Sequence, residues 1–590
     1  NEMSKRHPTW RKIDQKLTSY IDLTESEDEL KANEPEKPVT IVLPQSYATR
    51  EVLLTYLVAA FMESPIFRYQ SGNDPDDTLG NILLESVIEQ QSIRRRMGLN
   101  LHTLWSDDIT YGFGACSIIW EKIMGKRTRK GVVSDVVKYE GNRLYNFDPY
   151  NTFPDINCPI TNVDDMQYFS WVERSNLTRL LKLEAMDDKI FNVKYLKEMK
   201  RRGTSQYHKG GSTNSGRYDK TGLNTDSGLN EASQPIDVVW SYQIIIPNMV
   251  GLGSSNVPEL WQFGIAADRV LISAQPMELD HGHIPVAVQS IKNDGHSILT
   301  PSILEIEFPL QEAMDWLWGS RISNVRKAVN NMLVVDPSLI NINDIMDSKS
   351  GMIARLRTQA WGRQQLKEAV MQLQVTDVTV NHISDIAFLK NMSSEFIGTS
   401  DSLKGVQERK GERVSSAEAK GTRSSALGRR EKDAKIAAMQ AMYEIGYQMA
   451  SNTIQFLDTK QQVRVLGRYT ELMKKQYGKE VEMKEDSRGG ISIETDFSKL
   501  DVDYDVVVQD GTIPSGEYAD IWERLMTSAS AHPDLYEGLD FLKTWQHVAR
   551  LLGAKNPEAF LKVGMKPQVR SDQQVEQGVQ AGNLVPIQGA

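Results

Sequence analysis

The chain has 590 residues, 40% hydrophobic and 25% charged, which is long enough for several packed units of ordinary soluble composition. Its net charge of -10 argues against a dedicated, tight, nonspecific nucleic-acid binder, which usually neutralises phosphates with excess Lys and Arg, but not against a surface over which DNA slides. Two cysteines, Cys116 and Cys158, exclude a disulfide framework and suit a reducing compartment; no stretch approaches the roughly 20 apolar residues that span a bilayer.

The start of the chain carries Lys5, Arg6 and His7 before Trp10 and lacks the apolar core of a secretory signal. Residues 11–23 have the spacing of a short amphipathic helix, and 25–38 form an acidic, proline-punctuated linker. Helices are predicted over 44–62 and 79–104. The second carries Arg94, Arg95 and Arg96, a triplet that fits a solvated or salt-bridged face better than a nucleic-acid contact. The stretch from Asp107 to Trp120 passes from a helix end through Gly112, Phe113 and Gly114 into an apolar strand. Its glycines permit close backbone packing at that passage. A phosphate cradle would need a third glycine where Ser117 stands, and would place the glycines after a strand and before a helix, the reverse of this order.

Strands follow at 132–139 and 143–147, then a turn at Asp148 and Pro149, then a strand over 168–172. Asp155, Asp164 and Asp165 have the oxygen ligands a hard cation takes, but without regular loop spacing they are expected to be turn and cap residues. Residues 200–234, rich in Gly, Ser, Asn and Thr, read as a flexible surface insertion. Strands return at 238–247, 260–263 and 269–273. His281 and His283 would share one face of a strand and could supply two zinc ligands. No further Cys or His stands at the spacing of a closed site, so structural or exposed histidines are expected.

The most periodic part comes next. A helix is predicted to open at Pro309, where a first-turn N–H would be unsatisfied anyway, and to carry Leu310, Met314, Leu317, Val325, Ala328 and Met332, interrupted at Arg321. A second begins near Thr376 and Asp377, carries Val380, Ile383, Ala387, Leu389 and Phe396, and stops at Gly398. At 1.5 Å per residue each rod is roughly 30 to 40 Å long. Between them, two short strands at 332–335 and 371–375 flank Arg355, Arg357, Trp361, Arg363 and Lys367. This cationic knob suits a protein partner, a phosphate backbone or an intersubunit salt bridge. Residues 404–435 hold ten Lys and Arg against five Asp and Glu, with Gly405, Gly411, Gly421 and Gly428 spaced among them, a composition that resists burial.

Beyond, Ile436, Met439, Tyr443, Gly446, Ala450, Ile454 and Leu457 predict a long core-facing stripe. A charged helix to Gly478, a hairpin around Gly489 and Gly490 and a strand at 502–508 follow. Asp501, Asp503 and Asp505 share one face of that strand; paired carboxylates do acid/base or metal chemistry, but a half-exposed strand accounts for the alternation. Helices are predicted at 518–529, 535–552 and 557–561, and disorder from 566.

Two long helices flanking a small insert, then a charged glycine-rich loop and another long helix, resemble the stem, clip, tunnel loop and succeeding helix of tailed-bacteriophage portal proteins, the head-to-tail connector family. Gln311, Glu312 and Ala313 on the first rod, and the run Arg413, Val414, Ser415, Ser416, Ala417, Glu418, resemble corresponding stretches in portals of short-tailed phages. The glycine passage into Trp120 and the segment from Phe147 to Asp155 resemble parts of a portal wing. The resemblance implies an α+β portal fold: a helical arm (1–36), a wing (37–300, with the insertion 200–234), stem helices (301–332 and 376–397), a clip (333–375), a tunnel loop (398–413), a long helix and return wing (414–510), a crown (511–565) and a disordered tail (566–590).

It further implies a ring, normally of twelve copies, at one capsid vertex of the virion, assembled in the host cytoplasm. The expected partners are the terminase large subunit, the major capsid protein, a scaffolding protein, a head-tail adaptor and duplex DNA in the channel, with no membrane, no cofactor and no catalysis by this chain. Lys404, Arg409, Lys410 and Arg413 are the candidate DNA contacts. Arg355, Arg357, Trp361, Arg363 and Lys367 are the candidate docking residues, and Arg321, Arg326 and Lys327 the stem cations. The 200–234 insertion departs from the family pattern. The alternatives from other classes are a metal-dependent nuclease built on Asp155, Asp164 and Asp165 or on the Asp501 strand, and a non-portal structural or adaptor protein of the virion.

Overall fold

The computed structural model describes residues 2–20, 23–33, 38–62, 65–70, 78–129, 132–186, 189–196, 235–329, 333–335, 341, 355, 370–372, 379–398, 429–457, 461–465, 482–485, 491–495, 505–507, 525, 527 and 545. The fold mixes helix and sheet. Its N-terminal part runs α1 (Glu2–Leu17), α2 (Glu25–Asn33), α3 (Gln45–Phe61), β1 (Arg68–Gln70), α4 (Thr78–Arg95) and α5 (Met97–Tyr111). Strands then dominate: β2 (Gly114–Arg129), β3 (Val132–Asn146), β4 (Thr152–Pro154), β5 (Tyr168–Asn176), then α6 (Leu177–Met186), β6 (Pro235–Ile245), β7 (Glu259–Ala266), β8 (Val270–Pro276) and β9 (Val286–Gln289). After these come α7 (Ile303–Val329), β10 (Leu333–Val335), β11 (Val370–Gln372), α8 (His382–Ile397), a long helix from 429 to 456, and β12 (Gln461–Val465), β13 (Glu482–Glu485), β14 (Ile491–Thr495) and β15 (Asp505–Val507).

The chain forms two compact units. The first comprises Asn1–Ala59, Arg96–Ile119 and Arg143–Gln448. Its largest sheet is antiparallel, in the order β4-β5-β6-β7-β8. Ile236, Val238, Trp240 and Tyr242 alternate along β6 and so share one face, which carries the core. At one end Trp171 sits 4.9 Å, centroid to centroid, from both Phe147 and Tyr242. Nearby, Trp10, Tyr111 and Tyr150 form a triangle of rings 5.2 to 5.6 Å apart. Buried Asp14 accepts hydrogen bonds from both tyrosine hydroxyls at 2.7 Å, which ties α1 to this core. The start of β2 pairs with β9, Gly114 opposite Gln289.

The second unit comprises Ala60–Arg95, Trp120–Asn142 and Met449–Ala590. In it β1 pairs with β15, and β12, β14 and β13 form an antiparallel sheet. Buried Asn142 donates from Nδ2 to Gln91 Oε1, Met449 O and Thr453 Oγ1, each at 2.9 Å. Arg95 pairs with Glu121 and lies 4.0 Å above the Tyr139 ring, so this member of the basic triplet has partners inside its own chain.

Several boundaries differ from the sequence reading, each for a local reason. The acidic stretch read as a linker is helical over Glu25–Asn33, because the Glu27 carboxylate accepts from the Thr24 N–H at 2.9 Å and from its hydroxyl at 2.8 Å. The helix predicted over 79–104 is two helices, broken where Arg96 takes left-handed angles (φ 54°, ψ 43°). The strands expected at 132–139 and 143–147 are the single β3. α1 begins at Glu2 rather than near residue 11. The charged helix expected after Gln461 starts instead as β12, paired to β14. The 200–234 insertion, Asp501, Asp503 and the tail from 566 lie outside the described residues, as does nearly all of 511–565.

Candidate functional site

Two helices of the first unit dominate the candidate surface. α7 begins at Ile303, not at Pro309, because Ser302 and Glu305 form a reciprocal cap. Glu305 N–H donates to Ser302 Oγ at 2.9 Å, and Ser302 N–H donates to Glu305 Oε2 at 3.0 Å. Pro309 is therefore inside the helix. Downstream, Glu307, Gln311 and Asp315 recur every fourth residue and so line one face. Glu307 accepts from Thr49 Oγ1 (3.2 Å) and Ser393 Oγ (2.6 Å). Gln311 accepts from Ser46 and donates to Leu43 O (2.6 Å) and Asp315 Oδ1 (2.8 Å). Asp315 accepts from Leu43 N–H (2.9 Å) and pairs with Lys16 Nζ (2.7 Å). A buried polar ladder thus fixes α7 to the start of α3 and to α1, where Arg6 also pairs with Glu305 at 2.5 Å.

α8 begins at His382 rather than near Asp377, since Thr379 and Val380 are not helical. Its 16 residues make a rod of about 24 Å, shorter than expected, against about 40 Å for the 27 residues of α7. The helices run antiparallel: Glu307 near the start of α7 meets Ser393 near the end of α8, while Arg321 Nη1 donates to Thr379 Oγ1 (2.8 Å) just before α8 begins. Beyond Met314 no described residue of α7 is fully buried.

The apolar stripe of α8 faces outward. Phe388 is 67% exposed and Phe396 58%, with Met392 between them at the same four-residue spacing, while Ser393 and Ile397 are the buried positions. Ile383 and Val380 are exposed too, as are Ile306, Val325 and Trp316 on α7, the last at 70%.

Gly398 ends α8 in the left-handed region (φ 76°). Arg429 donates to Glu395 O (3.2 Å) and Arg430 donates to Ile397 O, so two cations cap the C-terminal carbonyls of α8. The described chain thus leaves and re-enters at one place, with residues 399–428 between. Asp433 carries the connection onward, accepting from Arg430 (3.2 Å) and Lys292 (2.6 Å). Beside it, buried Asp108 accepts from Ile291 N–H and Gln289 Nε2. Burial drives its pKa up to about 7, the neighbouring Asp433 adds to the rise, and the two hydrogen bonds and Lys292 restrain it.

Of the long helix that follows, Met439 and Tyr443 are exposed although the stripe read from the sequence points them inward. A π-helical stretch over Ala438–Met442 widens the turn and rotates the phase, leaving Ala441, Met442, Ile445 and Met449 as the core side.

The passage around Gly112 has the anticipated role. Gly112 caps α5 with φ 73°, and a Cβ there would stand 2.2 Å from Thr300 O, so backbone packing and not phosphate binding requires the glycine. The three aspartates separate. Asp155 is buried and accepts from the N–H groups of Asn157 and Gln167, a turn role. Asp164 meets His283 and Glu444: His283 Nδ1 lies 3.4 Å from Asp164 Oδ1 and 3.4 Å from Glu444 Oε1. The Glu444 hydrogen bond raises the His283 pKa against the effect of burial, and burial raises that of Asp164. His281 and His283 lie in a turn before β9, not on a strand. His281 is buried, its pKa driven down to about 4 by that burial. Sequence reasoning missed Glu444, which stands 161 residues from His283.

Of the cations singled out, Arg321 joins the helix pair, Arg326 donates to Pro38 O (3.1 Å), and Arg355 is exposed. Lys327 lies on α7 with its side chain outside the described residues, and Arg357, Trp361, Arg363, Lys367, Lys404, Arg409, Lys410 and Arg413 lie outside them altogether. Among the described residues no helix is long and apolar enough to cross a membrane.

No curated protein matches the chain. A family model described as the phage SU10 portal protein matches residues 83–490, more than two-thirds of the chain, from within α4 through the glycine passage, the sheets, α7, α8 and the long helix. The chain therefore belongs to the phage SU10 portal protein family.

Proposed function

We propose that copies of this chain, twelve in number, close into a ring at a single capsid vertex, and that the ring is the channel for packaging and ejecting double-stranded DNA. The observation that carries this reading is the outward apolar ridge of α7 and α8, with Trp316, Phe388 and Phe396 all more than half exposed. A soluble monomer rarely leaves such a ridge open, and a head-to-tail contact covering it on every copy closes by rotation.

In this reading α7 and α8 are the stem, with Arg321, Arg326 and Lys327 along it. Residues 333–375 are the clip, whose Arg355, Arg357, Trp361, Arg363 and Lys367 dock the terminase large subunit and then the head-tail adaptor. Residues 398–413 are the tunnel loop, where Lys404, Arg409, Lys410 and Arg413 meet passing phosphates by charge and shape, without reading bases. The meeting of Gly398 with Arg429 at the base of this segment supports its assignment as a loop. The major capsid and scaffolding proteins are its partners during assembly in the host cytoplasm, and 511–565 is the crown. ATP hydrolysis falls to the terminase.

Negative-stain microscopy with mass photometry of the purified chain tests the ring. A particle with a central hole and a mass of about 800 kDa, twelve copies of 66.6 kDa, is expected. A monomer or a sixfold particle at micromolar concentration refutes it.

A further inference from the structure

We propose that Asp164, His283 and Glu444 form a binding site for a divalent transition-metal ion, zinc being the best fit. The three come from separate segments: a 3-10 turn over Ile160–Asp165, the turn before β9, and the long helix. Their ligand atoms all lie within 4.8 Å of one another. His283 Nδ1 is 3.4 Å from each carboxylate oxygen, longer than the roughly 2.7 to 2.9 Å of a charge-assisted hydrogen bond. It is the separation of two ligands on a tetrahedral ion: with bonds of about 2.0 to 2.1 Å, the edge of the tetrahedron is about 3.3 to 3.4 Å.

The donor set narrows the ion. One imidazole with two carboxylates suits zinc, cobalt or nickel, whereas magnesium and calcium favour all-oxygen sites. The surroundings are built for a fixed carboxylate. Gln448, one turn after Glu444 and wholly buried, donates from Nε2 to Glu444 Oε1 at 2.5 Å and to Ile284 O at 3.2 Å. A hydrogen bond of this kind, from a buried side chain behind the ligand, holds its orientation. The other amide atom, Gln448 Oε1, is buried without a hydrogen-bond partner beside the cluster, and the buried His281 Nε2 likewise has none, its ring 6.0 Å from that of His283. On the other side Asp164 is 62% exposed, which gives an ion its route in and leaves room for water as the fourth ligand. An ion here fastens the long helix, just past its π-helical stretch, to the turn leading into β9. The site stands on its own geometry and does not depend on the ring.

The test uses the full chain, stripped with EDTA and dialysed. Zinc chloride is titrated by calorimetry, and cobalt chloride by visible absorption. One zinc per chain and the intense d–d bands of tetrahedral cobalt are expected, with zinc affinity more than about 100-fold weaker in His283→Ala and Glu444→Gln and about 10-fold weaker in Gln448→Leu. Asp165→Asn, which changes a neighbouring carboxylate outside the cluster, should bind as the parent does. If the unmodified chain gives neither stoichiometric zinc nor a tetrahedral cobalt spectrum, the cluster is an ion pair only and the proposal fails. It fails equally if folded His283→Ala or folded Glu444→Gln binds as tightly as the parent. The cobalt spectrum decides the matter on the unmodified chain even where a variant does not fold.

Discussion

Asp108 gives the sharpest quantitative prediction. Its carboxyl rises from 3.8 to about 7 on folding, burial being the main cause. The folded chain therefore holds a proton that the unfolded chain has already released. The stability this proton contributes is complete below about pH 3.8 and is lost as the pH climbs through about 7. With about 1.4 kcal/mol per pH unit, linkage over the part of this window between pH 5 and pH 8 amounts to roughly 2.5 kcal/mol. Asp108→Asn removes the titration. Its amide oxygen can take the place of Oδ2 and accept from Gln289 Nε2 and the Ile291 N–H, while its NH2 stands where Oδ1 faced the same N–H, an offset that is the same at every pH. The quantity to follow is therefore the difference in stability, parent minus variant, from urea unfolding at pH 5, 6, 7 and 8. It should fall by about 2.5 kcal/mol across that range, whatever its offset. A difference constant within about 0.5 kcal/mol would mean that Asp108 is ionised in the fold throughout, and the argument from burial would be wrong.

Three further outcomes are expected. Gly112→Ala forces a Cβ to within 2.2 Å of Thr300 O at φ 73° and should cost at least about 3 kcal/mol, whereas Gly282→Ala, at φ 68° with open space around it, should cost about 1 kcal/mol; thermal unfolding of both variants separates collision from backbone strain. Ser302→Ala removes the oxygen that caps α7 and should lower stability by about 1 kcal/mol in urea, with hydrogen exchange speeding up in the first turn. Phe388→Asp, at a position 67% exposed, should leave the stability of the separate chain within about 0.5 kcal/mol but shift its mass in light scattering from ring to smaller species; unchanged assembly removes α8 from the subunit contact.

Local chemistry was the legible part of this sequence. The passage from α5 to β2 could be read because Gly112 ends α5 with a left-handed φ of 73°, a local requirement, although the approach of Thr300 that also demands glycine there was not legible; the end of α8 could be read because Gly398 is a helix stop wherever it sits. The start of α7 was misread because two signals compete there. Pro309 suits a first turn, but the Ser302 and Glu305 cap satisfies two backbone donors seven and four residues earlier and extends the helix through the proline. Long-range polar chemistry was not legible. Nothing near Glu444 announces a histidine 161 residues away, and the ladder of Glu307, Gln311 and Asp315 carried only a faint signal, three polar residues at four-residue spacing on a helix with many other polar positions.

Periodicity named Val380, Ile383 and Phe396 on this rod, all exposed, but passed over Phe388 and Met392 and did not say what covers them; the helix pair makes that distinction physical. Inside the chain α7 is fixed by hydrogen bonds and ion pairs through Glu307, Gln311 and Asp315, while Trp316, Phe388, Met392 and Phe396 face outward. A helix pair built for a lone soluble molecule has the opposite arrangement, apolar residues inward and charges outward. Buried polar ladders fix register and orientation; exposed aromatic side chains supply the area on which association depends. The division of labour suits the proposed ring, in which α7 is aligned by α1 of its own chain and the exposed side of the helix pair is completed by a neighbouring copy.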